Sequence, residues 1–174
     1  MRRLLLFRHA KSASPAGTAD ADRPLAERGR AAAPRMGAYI AAEGFAPDLA
    51  LVSPARRARE TWDLASARLQ DIPTRLEPRL YEATPIRLLT VIGEVEASVR
   101  TLLLVGHNPA FEDLARQLAG EGDRDALARL AQKYPTAGLA VLDLPVETWA
   151  EAASSAGRLH RFATPKSLGH GEDE

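Results

Sequence analysis

Two histidines stand where strands would end. His9 follows the apolar run Leu4-Leu5-Leu6-Phe7 with Arg8 between them, and His107 follows Leu102-Leu103-Leu104-Val105 after a glycine. If those strands are neighbours, their carboxyl ends bring the two imidazoles face to face. Arg57 falls in the first turn of a helix expected to open at Ser53-Pro54, so it reaches the same crevice. With Arg8 it can grip a phosphoryl group through several charge-assisted hydrogen bonds. An imidazole ringed by arginines has its charged form disfavoured by like-charge repulsion, so it stays neutral and keeps a lone pair. Attack of that lone pair on phosphorus would give a phosphohistidine, while the arginines and the second histidine stabilise charge on the equatorial oxygens. Water would then release phosphate. This chemistry requires no metal or other cofactor, and no carboxylate and histidine cluster has ligand spacing.

The elements that must position these residues follow from the apolar runs. Leu4 to Phe7, Leu49-Ala50-Leu51-Val52 and Leu102 to Val105 are continuous and read as strands buried on both faces. Between them, stretches with helical spacing cover 26–43, 54–69, 86–97 and 110–119. Alternating strand and helix imply an α/β fold, a three-layer α/β/α sandwich with a mixed, mostly parallel sheet. Two more strands, at 139–144 and 158–162, are expected to add an antiparallel edge. Ser53-Pro54 and Asn108-Pro109 each read as a side-chain cap with proline at the first helical position. Helices that start there aim free N–H groups into the crevice and favour an anion.

Composition narrows the classes. The chain has 174 residues, 45% of them hydrophobic, with 23 Lys+Arg against 23 Asp+Glu. That is one globular domain of no net charge, expected over residues 1–168, with 169–174 as a disordered tail that has nothing apolar to bury. The absence of cysteine excludes thiol nucleophiles, disulfides and thiolate zinc sites. Balanced charge argues against a nucleic-acid partner, although the cations are almost all arginine, the lysines being Lys11, Lys133 and Lys166. No run is long enough for a membrane helix or a signal-peptide core, which makes the cytoplasm the expected location.

Five sequence blocks resemble the histidine phosphatase superfamily, the phosphoglycerate-mutase-like group, and within it the SixA-type phosphohistidine phosphatases. They are Arg8-His9-Ala10-Lys11-Ser12, Arg23-Pro24-Leu25-Ala26-Glu27-Arg28-Gly29, Ser53-Pro54-Ala55-Arg56-Arg57-Ala58-Arg59-Glu60-Thr61, Leu80-Tyr81-Glu82-Ala83 and Val105-Gly106-His107-Asn108-Pro109, with Thr164-Pro165-Lys166 near the end. The resemblance spans nearly the whole chain. It implies His9 as nucleophile, Arg8, Arg57 and His107 as the phosphate pocket, and a carboxylate that protonates the leaving group, for which Glu82 is the candidate. Such an acid must stay protonated near neutral pH, which burial beside the pocket would arrange. Ala10 departs from the wider family's glycine and implies an ordinary backbone there. Lys11 and Ser12 are candidates to reach the phosphate, with a solvated rim lysine as the alternative. Asn108 is a further candidate whose capping role already accounts for its identity. Trp62 and Tyr81 either wall the pocket or belong to the core.

The short spacing between the blocks leaves little room for a lid, and an open pocket suits a phosphorylated side chain on a protein better than a small metabolite. The leading expectation is therefore a metal-independent phosphatase acting on protein phosphohistidine. The alternative is a phosphomonoesterase for a small phosphate ester such as a sugar phosphate or nucleotide. A third reading, from another class, is an inert module that keeps the fold and binds anions or nucleic acid. A mutase is disfavoured, since it needs a closed site that keeps water from the phosphohistidine.

Overall fold

The apolar runs become the centre of one seven-stranded sheet, with strand order β3-β2-β4-β1-β6-β7-β5. In this computed structural model, which describes residues 1–171, the strands are β1 (Arg2–Arg8), β2 (Leu49–Val52), β3 (Thr74–Leu76), β4 (Thr101–Gly106), β5 (Ala119–Gly122), β6 (Leu139–Leu144) and β7 (Gly157–Ala163). Helices α1 (Glu27–Ala42), α2 (Arg56–Ser66), α3 (Pro85–Gly93), α4 (Ala110–Leu118) and α5 (Arg124–Gln132) flank it. Leu4, Leu5, Leu6 and Phe7 in β1 are all 0% exposed, as are Leu102 to Val105 in β4, which is why neither run alternates.

Their period-two geometry splits them between two cores. Leu4, Leu6, Leu102 and Leu104 point to one face and pack with α3, α4 and Trp149. Leu5, Phe7, Leu103 and Val105 point to the other and pack with Met36 and Ile40 of α1 and Trp62 of α2. The three-layer α/β/α sandwich follows directly.

The expected antiparallel edge is corrected. β6 pairs antiparallel with both β1 and β7, so the reversed strand lies inside the sheet. The edge beyond β7 is β5, which runs parallel to it with a register shift. Its sequence Ala-Gly-Glu-Gly has no β-branched or alternating signal, so only pairing with β7 makes it a strand. The proline positions are corrected too. α2 starts at Arg56 because the chain at Ser53 is still paired to the sheet, its N–H donating to Val105 O at 3.0 Å. α4 starts at Ala110, with Pro109 as its flanking residue.

Two loops fix the crevice. Ala26 N–H donates to Lys11 O at 2.9 Å, and Gly29 sits so close behind it that a Cβ there would come within 2.1 Å of the same oxygen. Glycine is therefore required where α1 passes the segment that carries His9. Gly29→Ala is expected to destabilise the protein by about 1–3 kcal/mol through overpacking. A denaturant melt reads this as a lower midpoint at constant slope, and an unchanged midpoint would mean that α1 slides away without strain.

Part of the expected tail is described: Gly169 N–H donates to Lys166 O at 2.9 Å and His170 N–H to Pro165 O at 2.7 Å. Residues 172–174, the rest of it, lie outside the described residues. Among the described residues no helix is long and apolar enough to cross a membrane.

Candidate active site

Strand register brings the two histidines together. β1 and β4 are parallel neighbours with Arg8 opposite Gly106, so the residues that follow, His9 and His107, leave the sheet side by side. Their ring centroids are 5.2 Å apart. His9 N–H donates to Gly106 O at 3.0 Å, and His9 O accepts from Ala137 N–H at 3.0 Å, which fixes its main chain on both sides. The ring is 7% exposed. Nδ1 lies 2.7 Å from Ala10 O, a carbonyl that can only accept, so the proton sits on Nδ1 and the Nε2 lone pair is left available. Burial pushes the His9 pKa down to about 3, with His107, Arg8 and Arg57 adding smaller repulsions. The neutrality expected from the arginines thus arises first from desolvation.

His107 is set by Ser53. The Ser53 hydroxyl accepts from Ala55 N–H at 3.3 Å and lies 2.8 Å from His107 Nε2. The contact serves either tautomer: where Oγ–H donates to Nε2 the imidazole proton sits on Nδ1, and where Nε2–H donates to Oγ it does not. Burial, then the Arg57 charge, pushes His107 down to about 4, so this ring is neutral as well. His107 Nδ1 and Arg8 Nε are buried and have no hydrogen-bond partner within the protein. Buried polar atoms left without a partner are uncommon and are accounted for by a catalytic role or a bound polar group. Ser53→Ala frees the His107 ring and is expected to lower kcat about tenfold, the worth of one hydrogen bond to a charge-developing site. A pH–rate profile distinguishes this from a folding defect, because a positioning role moves kcat more than KM; an unchanged kcat would contradict it.

Arg57 is the buried arginine of its helix, at 7% exposure, whereas Arg56 and Arg59 are exposed. Thr61 braces it: its hydroxyl donates to Arg57 O at 2.7 Å and accepts Ala10 N–H at 2.9 Å, tying the two motifs at their backbones. Among the described residues only Glu82 and Ala137 combine a side chain with positive φ, so Ala10 does have an ordinary backbone. The guanidinium of Arg57 grips Asp20, Nη1 to its carbonyl at 2.8 Å and Nη2 to Oδ2 at 3.2 Å. Arg23 bonds Asp20 Oδ1 at 3.0 Å and Ser12 Oγ at 2.7 Å, and the Tyr81 hydroxyl donates to Asp20 Oδ2. The Tyr81 bond foremost, then Arg23 and Arg57, hold the Asp20 carboxyl well below the usual carboxylate range. An anion at Arg57 must share it with Asp20 or displace that carboxylate.

The other candidates sort by geometry. Glu82 is exposed in left-handed backbone, φ 53°, without the burial expected to keep it protonated, although its neighbour Tyr81 stacks edge-on against His107 at 5.6 Å. Tyr81 therefore walls the crevice, and Trp62, 3% exposed, belongs to the core. Ser12 serves Arg23, and Lys11 lines a cavity beside the crevice. Asn108 is used up locally: Oδ1 accepts Glu112 N–H at 3.2 Å, and Nδ2 donates to Tyr134 O at 2.9 Å and Glu112 Oε2 at 3.2 Å. Sequence reasoning passed over Ser53 and Arg23 as site residues although both lie inside the motif blocks. It also passed over Asp20 and Tyr134, which no block includes. Tyr134 O takes the Arg8 Nη1 bond at 2.9 Å, and its buried hydroxyl ties β1 at Leu6 O to β6 at Ala140 N.

Comparison with known proteins gives the family and the fold. The model of the histidine phosphatase superfamily (branch 1) matches residues 4–88. A chain from Agrobacterium tumefaciens, which carries the provisional name phosphohistidine phosphatase SixA, is 34% identical and superposes with a TM-score of 0.80 over 94% of this chain and 98% of its own. This chain belongs to the histidine phosphatase superfamily, branch 1. An uncharacterized protein of Mycobacterium tuberculosis is 42% identical over 162 residues, 92% of this chain and 100% of that one. The protein histidine phosphatase SixA in complex with tungstate superposes with a TM-score of 0.72 over 95% of this chain at 20% identity, a likeness of fold. The family match ends before His107, so the place of the second histidine comes from the β1–β4 register.

Proposed function

We propose that the protein is a phosphatase that passes a phosphoryl group through His9 and acts on phosphohistidine in a protein. The observation that carries this reading is the neutral, buried His9, whose Nδ1 is engaged by Ala10 O so that Nε2 keeps its lone pair, in a site where Arg8 Nε and His107 Nδ1 have no partner within the protein. In the first step Nε2 bonds to phosphorus as the P–N bond breaks, and the leaving imidazole, already protonated from solvent on its other nitrogen, keeps the electron pair of the broken bond and departs neutral. Arg8, Arg57 and His107 hold the three equatorial oxygens as charge spreads over them. In the second step water attacks the phosphohistidine, giving inorganic phosphate and restoring Nε2.

The substrate class is argued from the leaving group. Asp20 is held ionised by its three partners and so stores no proton, and Glu82 is exposed and lacks the burial that the general-acid role calls for. An alkoxide leaving group needs such an acid. A phosphohistidine ring protonated on its other nitrogen leaves as neutral imidazole, and an ordinary imidazole pKa near about 6.5 makes that form accessible near neutral pH without a carboxylic acid in the site. This favours cleavage of P–N over P–O bonds.

The test is phosphate release from a phosphohistidine-bearing protein and from a panel of sugar phosphates and nucleotides, with p-nitrophenyl phosphate as reference and chelator throughout. A kcat/KM at least about a hundredfold higher for the phosphoprotein, or about 2.7 kcal/mol of preference, supports the reading. Equal or better turnover of a small ester overturns the substrate class and leaves the His9 chemistry standing.

A further inference from the structure

Arg8 has a partner outside the motif blocks. Its Nη1 donates to Tyr134 O at 2.9 Å, and the same oxygen accepts from Asn108 Nδ2 at 2.9 Å. A carbonyl oxygen has two lone pairs, so the two donors fill it. The Asn108 amide is committed throughout: Nδ2 also donates to Glu112 Oε2 at 3.2 Å, and Oδ1 accepts Glu112 N–H at 3.2 Å. Its oxygen faces a donor and its nitrogen faces two acceptors, which fixes how the amide is turned. Glu112 is held in turn by Arg116, whose Nη2 lies 2.6 Å from Oε1 and which donates to Leu130 O and Ala131 O in α5. The Tyr134 carbonyl is anchored from behind, because the ring of the same residue is buried and its hydroxyl is tied to Leu6 O of β1 and Ala140 N of β6. Holding the start of α4 needs Oδ1 of Asn108 alone. The Nδ2 contact, 26 residues along the chain, is what that role leaves unexplained.

We propose that Asn108 is a positioning residue for the reaction: through the Tyr134 carbonyl it sets the turn of the Arg8 guanidinium, so that the Nε–Nη2 edge faces the transferring phosphoryl group. With one lone pair of Tyr134 O taken by Asn108, Arg8 Nη1 can approach only along the other, and the guanidinium plane has one orientation rather than two. With Nη1 spent on that oxygen, the Nε–Nη2 edge is the fork left for two phosphoryl oxygens, and its Nε has no partner within the protein. Glu112 supports the same group by charge, since burial pushes the Arg8 pKa down and the Glu112 carboxylate opposes it. The proposal rests on the reading of Arg8 as a phosphate ligand and holds whether the leaving group is an imidazole or an alkoxide.

The experiment is a double-mutant cycle of N108A and R8K, read by the Kd for tungstate and by kcat and KM for p-nitrophenyl phosphate. N108A is expected to raise the tungstate Kd about threefold to tenfold, and to lower kcat by more than it raises KM, since Arg8 meets the most charge in the transition state. In R8K, whose ammonium has no planar fork to be turned, adding N108A should change the Kd by less than about twofold. The same factor in both backgrounds is the additivity of independent sites, the mark of general damage to α4, and overturns the proposal. If R8K binds tungstate as wild type does, the reading of Arg8 itself fails and the positioning role falls with it. A second measurement reads the guanidinium without any ligand. The Arg8 Nε–H resonance, assigned by its loss in R8K, should exchange with water at least about tenfold faster in N108A; unchanged exchange means that Arg8 is held without Asn108 and overturns the proposal. Should N108A not fold, E112A takes its place, because it frees the same amide on its Glu112 side: faster exchange supports the proposal and unchanged exchange overturns it.

Discussion

Replacing His9 by alanine is expected to lower kcat by at least about a thousandfold, because the variant loses the nucleophile and with it the covalent route. The fold has no reason to fail. The main-chain bonds of residue 9, to Gly106 O and from Ala137 N–H, do not involve the ring. Removing a buried imidazole also removes its desolvation, the effect that pushes its pKa to about 3. The ring's Nδ1 bond to Ala10 O is lost, which leaves one carbonyl without that partner. Rapid quench with labelled substrate provides the decisive comparison. Wild type should carry an acid-labile, base-stable phosphoenzyme, and His9→Ala should carry none. Residual activity above a few per cent of wild type, or a phosphoenzyme that survives the substitution, would place the nucleophile elsewhere.

Much of this site could be read from sequence because it lies where strands end. Runs with no polar residue, such as Leu4 to Phe7 and Leu102 to Val105, read as strands covered on both faces, and the residues after them emerge at the carboxyl end of the sheet. What could not be read was pairing order. Nothing local in Leu139 to Leu144 says that β6 runs antiparallel inside the sheet, and nothing in Ala119-Gly120-Glu121-Gly122 says strand at all. Both are decided by tertiary partners. The same holds within the site. Ser53 reads as a helix cap because Ser-Pro is a common helix opening, yet α2 starts three residues later at Arg56 and the hydroxyl is shared between Ala55 N–H and His107. Asp20 lies in a stretch of small and polar residues, and its importance comes only from the way Arg23, Arg57 and Tyr81 converge on it.

Acid should unfold the protein well before its carboxylates are neutralised. His9 and His107 titrate near about 6.5 in the unfolded chain, but burial moves them to about 3 and about 4 in the folded one. Between those limits the unfolded state binds more protons than the native state, so stability is fully present above about pH 6.5 and falls as pH falls. Once both are charged in the unfolded chain, the slope approaches about 1.4 kcal/mol per pH unit for each histidine. Taken from pH 6.5 to 4 the loss amounts to several kcal/mol, comparable with the whole stability of an ordinary domain of about 5–15 kcal/mol. Asp20, whose carboxyl is depressed in the native state, extends the same trend below that window. Denaturant melts at half-unit steps from pH 7.5 to 4 measure the slope, and H9Q/H107Q should flatten it by nearly two protons. His160, also lowered by burial, remains in both proteins and leaves a smaller residual slope. The same shifts govern catalysis: kcat/KM should show no acid limb near pH 6.5, because the free nucleophile is already neutral there. A stability curve that is flat from pH 6.5 to 4.5, or a rate that halves near 6.5, would mean that His9 is not held neutral by burial, and the lone pair on which the chemistry depends would need another cause.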